Sequence, residues 1–306
     1  MITTQKQFTE IGLGFAIQSD PFQAGREAAQ MAKSQLSQPT PHLVLAFGPD
    51  HFRFQDFMEG VRLVTGKDML VGISTSRVLS QDIFSPQACV VVIINSNQCR
   101  FSTAWAHTEM DNTLAAITTL FSQLRETRGN IRSQFQHQNL FLFENRPPPE
   151  DPHLPHMIMT ETGLESCFIK MNLQRALKSS LMCQNHILSE GLIAIECLSP
   201  TQWGFGAVEI EDFKNHPQIY REATRAAIRN ALAHMDKPNP CLGFVLLNFQ
   251  LDNLATDVLS PMFSSSHDII QNVPLIGLAS KGPFIRYPKN MINIQKESIV
   301  TILIPQ

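Results

Sequence analysis

The chain has 306 residues, 43% hydrophobic and 17% charged, and 24 basic against 27 acidic side chains leave a formal net charge of −3. Disordered chains combine low hydrophobicity with high net charge, so this composition excludes a solvated tail and predicts one large or two modest cores. With no lysine or arginine block there is no long-range attraction for nucleic acid or anionic lipid, and no segment reaches the roughly 18 apolar residues of a membrane span.

The polar start Met1-Ile2-Thr3-Thr4-Gln5-Lys6 lacks the plan of a secretory signal, so a cytoplasmic protein is expected. Gly12-Leu13-Gly14-Phe15-Ala16-Ile17 reads as a first strand. Asp20-Pro21 then reads as a helix start, since aspartate caps free N–H groups and proline suits the first turn. Ala24, Ala28, Met31, Ala32 and Leu36 follow at helical spacing, until Pro39-Thr40-Pro41 breaks the helix. Leu43-Val44-Leu45-Ala46-Phe47 is apolar on both faces and predicts a buried strand. A helix from about Phe54 to Leu63 leads to strands at Met69–Ile73 and Ala88–Ile94.

The middle of the chain is less regular. The spacing predicts a helix over 111–128, with Leu114, Ile117, Leu120, Phe121 and Leu124 on one face, and a strand at Asn139–Phe143. Pro147, Pro148, Pro149, Pro152 and Pro155 predict a stiff extended loop, and a strand is expected at Gly191–Leu198.

The opening order returns in the last third. Trp203–Ile210 stands for the first strand, His216-Pro217 opens a helix through about Met235, and Arg221-Glu222-Ala223 echoes Arg26-Glu27-Ala28. Pro238-Asn239-Pro240 is the breaker and Phe244-Val245-Leu246-Leu247 the buried strand. Pro274 to Ser280 parallels Met69 to Thr75, and Ile299–Ile304 parallels Val90–Ile94. The expectation is an α/β fold, with α+β as the alternative, of two similar halves with mixed sheets and flanking helices. The division falls between 1–198 and 199–306.

These motifs, in this order, resemble the FIST family, named for F-box and intracellular signal transduction. The N-terminal FIST pattern is matched by Gly12 to Phe15, Asp20-Pro21 to Ala29, His42 to Gly48 and Leu70 to Ser76. The C-terminal pattern is similar to Val273-Pro274-Leu275-Ile276-Gly277-Leu278 through Gly282, then Ile299 to Ile304. The resemblance implies a sensory module that binds a small molecule, such as an amino acid, and acts on a separate signalling protein. Some family members bind haem. The chain departs from the family pattern at Ser76-Arg77, Gly282-Pro283 and Asn248-Phe249-Gln250.

Strand C-termini in α/β layers present backbone amides and polar side chains to a crevice. Ser74, Thr75, Ser76 and Arg77 are therefore candidate ligand contacts, because hydroxyls and a guanidinium hold carboxylates or phosphates; Ser280, Lys281 and Gly282 form the counterpart loop. Against this, the glycines would serve only turns and the hydroxyls only loop backbone. Asp50 and His51 form a possible acid/base pair. His153 and His156 have a metal spacing that the intervening prolines deny to a helix, and the six cysteines contain no C-x-x-C, so no metal site is expected. No cofactor is expected either. A haem would need an axial histidine, and His107 has the most apolar neighbours. No G-x-S-x-G, S-x-x-K, H-E-x-x-H or Walker loop is present, and no catalytic residue is assigned. The alternatives are an enzyme using Asp50, His51 and Ser74, or an interaction scaffold docking through 147–156.

Overall fold

Asp20 caps the first helix: its side chain accepts a hydrogen bond from the Gln23 backbone N–H at 3.1 Å, with Pro21 in the first turn. The computed structural model describes residues 8–38, 40–80, 83–108, 113–145, 154–162, 167–173, 180–210, 217–248, 256–287, 290–293 and 298–306. The first unit runs β1 (Thr9–Ile17), α1 (Pro21–Lys33), β2 (Leu43–Pro49), α2 (Phe54–Thr65), β3 (Leu70–Thr75), β4 (Val78–Ser80) and β5 (Ala88–Ser96). Every residue of β2 and of β5 is buried, as their continuous apolar runs require. β5 lies antiparallel between β1 and β2, and β3 lies parallel on the far side of β2.

The same arrangement is built twice more. The middle unit comprises β6 (Arg100–His107), α3 (Thr113–Arg128), β7 (His137–Glu144), α4 (Leu154–Thr162), β8 (Cys167–Leu173), β9 (Leu181–Cys183), β10 (His186–Leu188) and β11 (Gly191–Ser199). Its strands lie in the order β6-β11-β7-β8. The last unit comprises β12 (Gly204–Glu209), α5 (Pro217–Ala233), β13 (Pro240–Leu247), α6 (Thr256–Ser264), β14 (Leu275–Tyr287), β15 (Asn290–Asn293) and β16 (Ser298–Pro305), in the order β12-β16-β13-β14. In each unit the first two pairings are antiparallel and the third is parallel. The fold is thus α/β with mixed sheets, flanking helices and an internal repeat, and the similarity of its two ends extends to a third copy between them.

The copies interlock in a cycle. β4 of the first unit pairs with β14 of the last, β9 of the middle unit pairs with β3 of the first, and the far half of β14 pairs with β8 of the middle unit. The inward sheet faces share one apolar core, in which Phe47, Phe141 and Phe244 sit with ring centroids of neighbouring pairs 5.8 to 6.3 Å apart. Each outward face is covered by its own helix pair, and the apolar residues beneath α1 and α2, α3 and α4, and α5 and α6 form three separate clusters.

Several expectations change in detail. Leu114 is 57% exposed and Met31 39%, because the buried stripes run instead through Ala116 on α3 and through Ala28, Ala29 and Ala32 on α1. α4 begins at Leu154, so Pro155 and His156 lie in a helix and not in an extended loop. A proline in the first turn removes an N–H that has no intrahelical partner. The remainder of the proline-rich stretch, with His153, lies outside the described residues. Gly72 and Gly277 sit within strands and not in turns. A Cβ on Gly72 would fall 2.4 Å from Met58 Sδ and one on Gly277 2.5 Å from Phe263 Cζ, so these glycines let side chains of the covering helix reach the sheet.

Candidate functional site at the meeting of three strand ends

Because β2 and β3 are parallel neighbours, their C-terminal ends lie side by side. Pro49 stands opposite Thr75, and the Asp50 N–H donates to the Thr75 carbonyl at 2.9 Å. Two groups distant in sequence, Asp50-His51 and Ser74 to Arg77, therefore share one end of the first unit. The Ser74 N–H donates to the Ser180 carbonyl at 2.9 Å, so the chain entering β9 from the middle unit runs along the same edge. Val78 stands opposite Leu278, which carries Ser76 and Arg77 toward the backbone of Ala279 and Ser280 in the last unit. All three units thus contribute backbone to one junction.

Within it, Ser74 and Thr75 are buried, at 1% and 2% exposure. The Thr75 hydroxyl donates to the Arg77 carbonyl at 3.3 Å. The Arg77 guanidinium donates to the Phe84 carbonyl through Nε at 3.2 Å and through a terminal nitrogen. Arg77 therefore closes the turn after β3. His51 Nδ1 lies 3.9 Å from Asp50 Oδ1, beyond hydrogen-bond length, and the ring sits edge-on to Phe52 at 5.1 Å. The two side chains are neighbours near the surface, too far apart for a direct hydrogen bond between these atoms.

Ser280, Lys281 and Gly282 do not form a loop. β14 continues through them, because the last unit's third strand runs on from β13 to pair with β8, whereas the first unit turns at Ser76-Arg77 into the separate strand β4. The ladder to β8 shifts register between Lys281 and Phe284, the stretch that contains Gly282. Ser280 stands opposite Leu173 and Lys281 opposite Asn172, so β8 of the middle unit also reaches this region. Ser180 and Asn172 were not among the sequence candidates; the only signal for them is the repeat itself, which is obscured in the middle copy.

Among the described residues, no group of three or more His, Cys, Asp or Glu side chains is placed to hold a metal ion. His107 closes β6 at the surface. Its ring stands edge-on to Trp105 at 5.6 Å, and Trp105 stacks on His186 at 4.1 Å. Among the described residues this is an aromatic group at the surface. No described helix is long and apolar enough to cross a membrane.

No family model matches the chain, and no curated protein is similar to it in sequence. Solved structures that match weakly include a cyanuric acid hydrolase from A. caulinodans, 7% identical, covering 98% of this chain and 100% of that one at a TM-score of 0.46. A chorismatase is 7% identical with the same coverage and a TM-score of 0.47. Phosphoribosylformylglycinamidine synthase II from Thermotoga maritima is 7% identical and covers 96% of this chain and 72% of that one at a TM-score of 0.28.

Proposed function

We propose that this protein binds a small polar metabolite, of the amino-acid or organic-acid class, at the junction of the three units, and that occupancy is relayed to a separate signalling partner in the cytoplasm. One observation carries the reading: Ser74 and Thr75, at the end of β3, are flanked by Asp50, Ser180 and the β14 backbone, so polar groups from three copies converge on one place. Hydroxyls, strand-end amides and the cations Arg77 and Lys281 suit a carboxylate. The resemblance to FIST proteins supports a sensory role, and no cofactor is required by it. Relay follows if the ligand prefers one of two arrangements of the interlocked strands.

The enzyme alternative draws no support from Asp50 and His51, since a base needs its orienting hydrogen bond. A thermal-shift screen against amino acids and organic acids tests the proposal: a ligand at a hundred times its Kd stabilises the native state by about 2.7 kcal/mol. Ser74→Ala and Lys281→Ala are expected to weaken binding of whichever compound responds while leaving the unliganded melting temperature close to the parent's. Unchanged affinity in both variants would sink the idea.

A further inference from the structure

Three cysteines approach the central core from different parts of the chain. Cys197 lies fully buried in β11, Cys99 precedes β6 in the short link between the first two units, and Cys241 stands at the start of β13. All are free thiols. β6 and β11 are antiparallel with Phe101 opposite Cys197 and Arg100 opposite Leu198, so Cys99 is the diagonal neighbour of Cys197 on the same sheet face, and both pack against the central core. Diagonal neighbours are a little farther apart than a disulfide needs. Cys99 can close that gap because it is not part of the ladder; its N–H is held by the Ser96 hydroxyl at 3.1 Å.

We propose that Cys99 and Cys197 are a peroxide-sensitive thiol pair that closes to a reversible disulfide. The Cys99 thiolate attacks one oxygen of a hydroperoxide, the O–O bond breaks, and the alcohol or water leaves with a proton. The resulting sulfenic acid is attacked by the Cys197 sulfur; the S–O bond breaks, and the departing hydroxide takes the Cys197 proton as water. Two thiols and one peroxide give one disulfide, one alcohol or water, and one water.

The roles follow from the surroundings. Cys99 is partly exposed where Cys197 is buried, and its thiol is pushed down by the neighbouring Cys197, opposed by burial and assisted by Ser96. Burial pushes the Cys197 thiol up, so it resolves and does not attack. Cys241 is the less suitable resolving group, since its Sγ donates to the Pro305 carbonyl at 3.3 Å.

The test is to treat the reduced full-length protein with near-stoichiometric hydrogen peroxide and map its peptides without reduction. The expected product joins the Cys99 and Cys197 peptides, is lighter by two hydrogen atoms and is reversed by dithiothreitol. Cys241→Ser should retain it and Cys99→Ser abolish it, each variant being checked by circular dichroism. In Cys197→Ser the Cys99 sulfenic acid should persist long enough for dimedone to trap it. A Cys99–Cys241 bridge, over-oxidation of Cys99 without bridging, or reaction only in urea would each overturn the proposal. If Cys197→Ser does not fold, the map of the parent protein decides alone.

Discussion

Gly14 of β1 and Gly206 of β12 occupy the same place in two units: a Cβ on Gly14 would fall 1.9 Å from the Ala28 carbonyl oxygen, and one on Gly206 2.0 Å from that of Ala227. In both units an alanine-faced helix lies directly on the first strand, and backbone meets backbone. Gly14→Ala and Gly206→Ala cannot be relieved by turning a side chain, so each is expected to lower stability by about 3 kcal/mol or more. Gly66→Ala is the contrast. That residue has φ +83 and ψ −174, a region essentially kept to glycine, with open space around it, so an alanine is opposed by backbone strain alone, about 1–3 kcal/mol. Urea midpoints of the three variants check the ranking.

The same contacts explain what the sequence discloses. The first and last copies keep the glycine pair, the proline-started helix and the glycine of the third strand in the same order, so their likeness is readable. The middle copy has Ser102, Ala104 and Ala106 on the helix-facing side of its first strand, gains a 3₁₀ turn at Gly129–Gln134, and inserts the β9–β10 hairpin. Its β11 carries a buried glutamate, Glu196, within an apolar run. Each change removes one landmark, and a copy without its landmarks looks irregular. The candidate site was half legible for a related reason. Strand ends can be read from apolar runs, but the pairing of Ser74 with Ser180 depends on how units interlock, and the engagement of Arg77 by the Phe84 carbonyl depends on a turn.

Glu196 is 1% exposed and accepts hydrogen bonds from Arg128 Nη1, at 2.8 Å, and from the Gln138 amide. Removing the cation alone leaves a charge stranded beneath α3. Arg128→Ala is therefore expected to cost about 3–5 kcal/mol, whereas Arg128→Met with Glu196→Leu should recover most of that loss, because an apolar pair carries no desolvation penalty. Denaturant unfolding of the single and double variants measures the difference. A single variant within about 0.5 kcal/mol of the parent would show that the pair is solvated in solution.

Asn145, 6% exposed, bridges the turn between β10 and β11. Its Nδ2 donates to the Leu188 carbonyl at 3.0 Å and the Ser189 carbonyl at 2.9 Å, and its Oδ1 accepts from the Gly191 N–H at 2.7 Å. Asn145→Ala deprives the turn of all three bonds and should destabilise by about 2–3 kcal/mol. Asn145→Asp keeps the acceptor but loses both donors beside two carbonyls, so it should be at least as damaging. Amide exchange at Gly191 reports the loss locally: it should accelerate in both variants relative to the parent.

Cys89, in β5 beneath α1, is fully buried, and burial pushes its thiol up to about 12 from an ordinary 9.0. In the unfolded chain the thiol ionises from about pH 9, while in the native state it keeps its proton. The unfolded state then binds fewer protons, so stability is fully present below pH 9 and falls as pH rises toward 12, by about 1.4 kcal/mol per pH unit for this thiol. Cys183, raised to about 11, and Cys241, raised to about 12, act in the same sense. Cys89→Ala loses packing at every pH but removes this one ionisation. Its stability deficit relative to the parent should shrink steadily between about pH 9 and 11, and a deficit constant over that range would place the Cys89 thiol in contact with solvent.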